Sequence, residues 1–523
     1  MFVNGPAPQP GSANRTMIHR TFRTLAPLAA AAWLAAVQAP AGAQGTLNVA
    51  PRPASGATEG AARTPLAARI DAILERPSLR AADWGIEARD AATGRVLYAR
   101  GAALPFIPAS NLKLLVAATA AHHLDPGYRY RTTLYGTGPV RDGVLEGDLV
   151  LYGRGDPLIS TRYGGPLFGV WEALADSLRA RGVRRVSGGV VADDSYFEAE
   201  HVRPDWDPYD LRWWYAAPVG ALGYQDNSVE VHVAPGAVGA PPRVSWTPRS
   251  SYVEVENRAV TVRAGRAATA DLERTGGTRA GIRVYGQVPA GAGTDVDFFA
   301  VPSGAAYAGT TFREALERKG IAVGRNEVRV VTDSMLSPAR GAAVLAEHWS
   351  DPLPHVIGPI LLKSQNWIAE TLLKTLGREV RGEGSWDAGI AVERDFLTRV
   401  VGIDSADLAL RDGSGLSDRN RVTPRALVRL LGYIRDTPQM AVVRQSLPVS
   451  GREGSLRARL TDLPGRVAAK TGYIGGVDSM SGWVTTNDGR TVIFSIIANR
   501  TGQPSARMKA GIDDVVRAIA AAG

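Results

Sequence analysis

From Ser110 to Leu124 the chain is apolar around almost the whole circumference of a helix, with Leu112, Leu114, Leu115 and Val116 followed mostly by alanines. A helix without a polar face belongs in the middle of a domain, so the fold has to be built around this segment. Yet Lys113 stands inside the run. A buried ammonium without a partner is costly, and burial pushes such an amine toward its neutral form.

Lysine is otherwise scarce. It occurs only at positions 113, 319, 363, 374, 470 and 509, and arginine supplies the rest of the 60 basic residues. Arginine keeps its proton at any working pH, whereas a lysine can lose its charge to burial or to a nearby cation. Lys113 closes the tetrapeptide Ser110-Asn111-Leu112-Lys113. Residues three apart at a helix start share a face, which sets a base beside a nucleophile. Pro108 suits a helix entry, and the unsatisfied amides of a helix N-terminus, that of Ser110 among them, can hold an oxyanion.

Two later motifs bear on this pair. Ser364-Gln365-Asn366 is an SxN element, and Lys470-Thr471-Gly472 lies on a strand-like segment next to a hairpin. Each is common alone: Ser12-Ala13-Asn14 also reads SxN and carries no meaning. The order SxxK, SxN, KTG is far more specific, and it is the motif set of serine β-lactamases and penicillin-binding proteins.

With these motifs the chain resembles the class C low-molecular-mass penicillin-binding proteins, the D-alanyl-D-alanine carboxypeptidase/endopeptidases. Further segments carry the resemblance: Gly153-Arg154-Gly155-Asp156-Pro157, Asp193 to Phe197, Asp412-Gly413-Ser414-Gly415-Leu416-Ser417 and Leu447 to Gly451. It extends from about residue 66 to the C-terminus. The resemblance implies an α+β transpeptidase domain, an antiparallel sheet flanked by helices, with a large mostly-β insertion. It also implies acylation of Ser110 by a D-alanyl-D-alanine stem peptide of peptidoglycan or by a β-lactam. In that reading Lys113 is the base, Ser364 and Asn366 relay a proton and position the amide, and Lys470 and Thr471 meet the substrate carboxylate. Lys470 is expected to keep its charge and to depress Lys113. Gly472 and Tyr473 complete the substrate edge, the amides of Ser110 and Tyr473 forming the oxyanion hole. No cofactor or metal is implied. The sequence departs from the family at Tyr473, where Ser or Thr is usual, at Asp418, where arginine often follows Gly-Leu-Ser, and at Gln365.

The remaining sequence divides around these motifs. Arg15, Arg20 and Arg23 precede an apolar stretch from Leu25 to Ala39 and then Ala41-Gly42-Ala43, the pattern of a secretory signal peptide over 1–43. A Gly/Ala/Pro/Ser-rich leader follows over 44–64. The DD-peptidase domain is expected over 65–134 and 341–523, and the β-rich insertion over 135–340, where short strand-like runs alternate with Gly, Pro and Asp turns. A helix is expected at Pro65 to Leu74, a hairpin at Trp84 to Tyr98, helices around Ile357 to Leu376 and Pro424 to Arg435, three closing strands from Arg466 to Asn499, and a C-terminal amphipathic helix.

Several other classes lose ground. The chain has no cysteine, which excludes disulfides, thiol chemistry and a lipoprotein anchor. Of its net charge of +9, the segment before residue 44 takes three, and the rest is dispersed, which fits an anionic envelope polymer and makes no case for nucleic acid. No later segment is long and apolar enough for a transmembrane anchor. The mature protein is therefore expected in the periplasm or outside the cell. There is no GxSxG elbow and no HExxH, and the adjacent His122 and His123 read as structural. A β-lactamase or esterase of the same fold, or a non-catalytic muropeptide-binding protein, is the alternative function.

Overall fold

A computed structural model describes residues 64–277 and 279–522. The signal peptide and nearly all of the leader fall outside them.

The centre is a five-stranded antiparallel sheet in the order Val96–Arg100, Asp83–Asp90, Thr491–Asn499, Val477–Thr485, Val467–Ile474. The two ends of the chain thus share one sheet. Helices Pro65–Leu74 and Ser505–Ala520 bury Ile70, Ile73, Leu74, Met508, Val515 and Ile519 in a core shared with Met480, Phe494 and Ile496. A helical layer forms a separate core, which takes in Ile493 and Ile497 of the sheet. At its heart is Lys113–His123, in which every residue from Lys113 to Ala121 is buried. A helix enclosed by Leu353–Leu362 and Asn366–Arg381 has no use for a polar face.

Two expectations change. Ser110 is not the first residue of an α-helix: Ala109–Leu112 is a 3₁₀ turn that leads into Lys113–His123. The single helix expected around 357–376 is two, Leu353–Leu362 and Asn366–Arg381. They are separated at Ser364, whose φ of 58° is left-handed and cannot continue a right-handed helix.

The chain leaves this domain along Arg131–Gly136 and returns along Ala343–Trp349, and these two strands pair antiparallel. They belong to a five-stranded sheet completed by Leu149–Tyr152, Val190–Asp193 and Arg329–Val331. Smaller sheets around Ser228–Ala234 and Ala280–Tyr285 share one core with it. That core also takes in two helices, Gly169–Ala180 and Gly304–Arg318, which the alternating pattern of the region had not suggested.

Among the described residues no helix is long and apolar enough to cross a membrane.

Candidate active site

The 3₁₀ turn presents Ser110 half-buried, while Lys113 is fully buried. Ala109, just before the serine, has a left-handed φ of 48°. Like Ser364 it is a non-glycine residue in a conformation that costs roughly 1–2 kcal/mol, and such strain concentrates at functional sites.

Lys113 Nζ donates to three oxygens: Ser110 Oγ at 2.9 Å, Asn366 Oδ1 at 2.7 Å and the Ser414 carbonyl at 2.7 Å. These come from the SxxK turn, the SxN helix and the Asp412–Ser417 loop. Asn366 is itself oriented, since its Nδ2 donates to the Tyr215 carbonyl at 2.8 Å. Burial lowers the Lys113 amine to about 7, against the opposing pull of Glu370 and Asp412. A displacement of that size is about 5 kcal/mol of differential interaction between the two protonation states.

Lys470 lies on the edge strand Val467–Ile474 and is also fully buried. Its Nζ donates to Ser364 Oγ at 2.8 Å and to the Thr471 carbonyl at 2.6 Å. The left-handed turn at Ser364 is what brings that hydroxyl to the strand. Burial, and then the proximity of Lys113, hold the Lys470 amine well below its ordinary range. The expected division of labour took Lys470 as charged, whereas burial disfavours that form in the free enzyme. Burial is the largest cause of the depression at both amines, and their mutual repulsion adds to it.

Thr471 Oγ1 donates to Ser455 Oγ at 2.7 Å, and Ser455 is a site neighbour that no motif marked. Gly472 is held where a Cβ would meet Ser479 Oγ at 2.3 Å, the Pro108 carbonyl at 2.9 Å and the Ser110 amide nitrogen at 3.0 Å. Strand and SxxK turn therefore touch backbone to backbone. Tyr473 follows, half-buried, with Lys509 Nζ 5.0 Å from its ring centroid.

The residues expected at the site thus converge, while Asp418, the departure noted after Gly-Leu-Ser, and the arginine that follows it, Arg419, are exposed just past the Asp412–Ser417 loop. Asp193 and Asp194 are buried and accept from the backbone amides of Ser195 and Leu222, as turn-capping carboxylates do. Lys363 is exposed and donates to the Arg162 carbonyl. Among the described residues no group of three or more His, Cys, Asp or Glu side chains is arranged to hold a metal ion.

Beneath Lys113 lie acids that sequence reasoning passed over. Glu370 stands one turn after Asn366 and is fully buried, as are Asp412 and Glu393. The available signal was Glu370 with Lys374 one turn on, two charged residues in a stretch that also carries Trp367, Ile368, Leu372, Leu373 and Leu376.

The site contains a buried, readily deprotonated amine touching a serine hydroxyl, backed by a second amine at a strand edge. This is the equipment of serine acyl transfer. The same architecture occurs in the crystal structure of penicillin-binding protein 4 (dacB) from Haemophilus influenzae, which is 22% identical and superposes with a TM-score of 0.75 over 86% of this chain and 98% of that one. A D-alanyl-D-alanine carboxypeptidase of Actinomadura sp. (strain R39) is 38% identical over 467 residues, 87% of this chain and 84% of the relative. D-alanyl-D-alanine carboxypeptidase DacB of Haemophilus influenzae is 25% identical, over 74% of this chain and 79% of the relative. Residues 66–520 match the family model described as the D-Ala-D-Ala carboxypeptidase 3 (S13) family, and the chain belongs to that family.

Proposed function

We propose that the protein is a penicillin-sensitive serine DD-peptidase that hydrolyses D-alanyl-D-alanine and cross-link peptide bonds of peptidoglycan outside the cytoplasm, through an acyl-enzyme on Ser110. The observation that carries this is the 2.9 Å contact between Lys113 Nζ and Ser110 Oγ, made by an amine that burial lowers to about 7. At neutral pH a large share of Lys113 is then free to take the serine proton.

Ser110 Oγ attacks the carbonyl between the two D-alanines as its proton passes to Lys113. The oxyanion is held by the amides of Ser110 and Tyr473, in a cradle whose width depends on Gly472. Asn366 fixes the amine and offers its amide to the substrate backbone. The proton taken up by Lys113 passes to the departing D-alanine nitrogen by way of Ser364, whose hydroxyl already accepts from Lys470, and Lys113 is neutral again. Lys470 and Thr471 face the terminal carboxylate, and that anion restores the charge that burial denies Lys470. Water, activated by the same amine, then releases the acyl group. A β-lactam acylates Ser110 by the same steps and leaves no amine to depart. We also read 135–340 as a module inserted into this domain, a reading supported by the pairing of Arg131–Gly136 with Ala343–Trp349, and 1–43 as a signal peptide.

The test is labelling with a fluorescent penicillin. The wild type labels and releases the drug slowly, while Ser110→Ala and Lys113→Arg do not label. Normal labelling of Lys113→Arg would sink the neutral-amine mechanism. Rapid turnover of bound penicillin would make the protein a β-lactamase.

A further inference from the structure

The Ser414 carbonyl is one of the three oxygens that hold Lys113, and the loop carrying it is pinned by two buried carboxylates. Glu370 Oε1 accepts from the Ser414 amide at 2.6 Å. Its carboxylate also takes the Gly413 amide at 3.1 and 3.0 Å, and Trp386 Nε1 at 2.8 Å. Asp412 accepts from the Gly415 amide at 2.9 Å, the Ser417 amide at 2.7 Å, Trp206 Nε1 at 3.0 Å and Asn420 Nδ2 at 2.9 Å.

The Ser414–Gly415 peptide group is therefore gripped at both ends. Its carbonyl accepts from Lys113 and its N–H donates to Asp412. A peptide dipole stretched between an amine and a carboxylate is polarised by each, so it transmits the charge of Asp412 to Lys113. The loop is also fixed in place, because Gly415 has a φ of 83° and a Cβ there would lie 2.0 Å from the Ala109 carbonyl.

We propose that Glu370 and Asp412 are positioning residues for Lys113. Their carboxylates orient the Gly413-to-Gly415 amides so that the Ser414 carbonyl holds the amine against Ser110, and their negative charge tunes how readily that amine gives up its proton. The proposal rests on the reading of Lys113 as the base. The groups that share this charge environment are Lys470 on the strand, Glu370 and Lys374 on the SxN helix, Asp412 in the loop and Glu393 on Trp386–Asp395, with Lys374 lying over the Trp386 ring that Glu370 holds. Both carboxylate oxygens of Glu393 lack a hydrogen-bond partner, and burial, then Glu370 and Asp412, pushes its carboxyl well above the usual range, which favours its neutral form. Burial, then the neighbouring Asp412, raises Glu370 to about 7 against the Ser414, Gly413 and Trp386 donors, and burial likewise raises Asp412.

The test is the pH profile of penicillin acylation for the wild type, Glu370→Gln and Glu393→Gln. Glu370 gains its charge only as pH rises through about 7, so removing it makes Lys113 easier to deprotonate there, and the acid limb of the Glu370→Gln profile moves to lower pH by up to about one unit. At pH 7 the variant then runs up to about twofold closer to its own plateau than the wild type does. The plateau itself falls, because the Ser414 carbonyl is less firmly held. Glu393→Gln keeps the limb of the wild type. In Glu370→Gln the new amide nitrogen faces Trp386 Nε1; if that variant does not fold, Glu370→Gln/Trp386→Phe removes the opposed donors and carries the same readout. A lowered plateau with an unmoved limb means that Glu370 is only structural, and it overturns the proposal. A wild type without an acid limb near 7, or a Lys113→Arg variant that acylates, defeats instead the assignment of Lys113 as base.

Discussion

Ser364 Oγ lies 2.8 Å from Lys470 Nζ, and this contact ties the break between two helices to the edge of the central sheet. The break exists because Ser364 is left-handed, so a local backbone feature delivers a hydroxyl to a buried amine. Replacing it with Ser364→Gly keeps the turn, since glycine tolerates that φ, and removes only the hydroxyl. Loss of a positioned proton relay costs about 10²–10⁴-fold. Stopped-flow acylation is expected to slow within that range at little cost in stability. A slowing of less than threefold would remove Ser364 from the proton path.

The acylation rate should follow the neutral fraction of Lys113. Because burial lowers this amine to about 7, the rate rises roughly tenfold per pH unit below 6 and levels off above 7. The sign follows from the reactive form, since deprotonation creates the base as pH rises. Lys113→Arg should be inactive across the whole range, as a guanidinium does not deprotonate. Rate constants for benzylpenicillin between pH 5 and 9 check this, and a profile flat to pH 5 contradicts it.

Lys470 makes a complementary prediction. Burial and Lys113 hold its amine well below the ordinary lysine range in the free enzyme, and an arriving carboxylate pushes it back up. Ligand binding should therefore take up a proton from solution. Titration calorimetry of Ser110→Ala with a D-alanyl-D-alanine peptide, repeated in buffers of different ionisation enthalpy, should show net uptake at pH 8. Binding heats independent of buffer would mean that Lys470 is already charged.

Much of this site was legible because its chemistry is written in short, ordered motifs. Ser110, Lys113, Ser364, Asn366 and Lys470 could each be named from residue type and spacing. The fold around them was legible where periodicity was strong, as in the Lys113–His123 helix and the three closing strands. What stayed hidden depends on tertiary placement. The split at Ser364 needs a φ that no local composition demands. Glu370 and Glu393 look like ordinary helical acids until burial is known, and Ser455 reaches Thr471 only through folding. The burial of Lys470 was hidden for the same reason, because it is a property of the sheet edge in its surroundings.

Gly472 offers a steric test of the oxyanion cradle. A methyl group there would sit 3.0 Å from the Ser110 amide nitrogen and 2.9 Å from the Pro108 carbonyl, both backbone atoms that cannot swing aside. Gly472→Ala must therefore push the strand away from the SxxK turn. Loss of one oxyanion donor costs about 10²–10³-fold in rate, so acylation should drop by at least that much. Overpacking of this kind also destabilises by about 1–3 kcal/mol. Labelling kinetics and thermal melts should show both, and a fully active Gly472→Ala would exclude the cradle as described.

Glu393 should lower stability in a pH-dependent way. It is fully buried, neither carboxylate oxygen has a hydrogen-bond partner, and burial raises its folded-state pKa well above the usual carboxyl range. An unfolded glutamate ionises near ~4.3, so above that pH the native state binds a proton that the unfolded state has released. Stability therefore falls as pH rises from there toward the folded pKa. Glu393→Leu abolishes this loss and also removes an unsatisfied polar group, worth about 1–3 kcal/mol on its own. The variant should melt higher than the wild type at every pH, with a gain that is larger at pH 8 than at pH 5. Scanning calorimetry at the two pH values measures the difference. Equal gains would show that the buried carboxyl is not held in its neutral form, and a lower melting temperature would show that Glu393 has a partner that its geometry does not reveal.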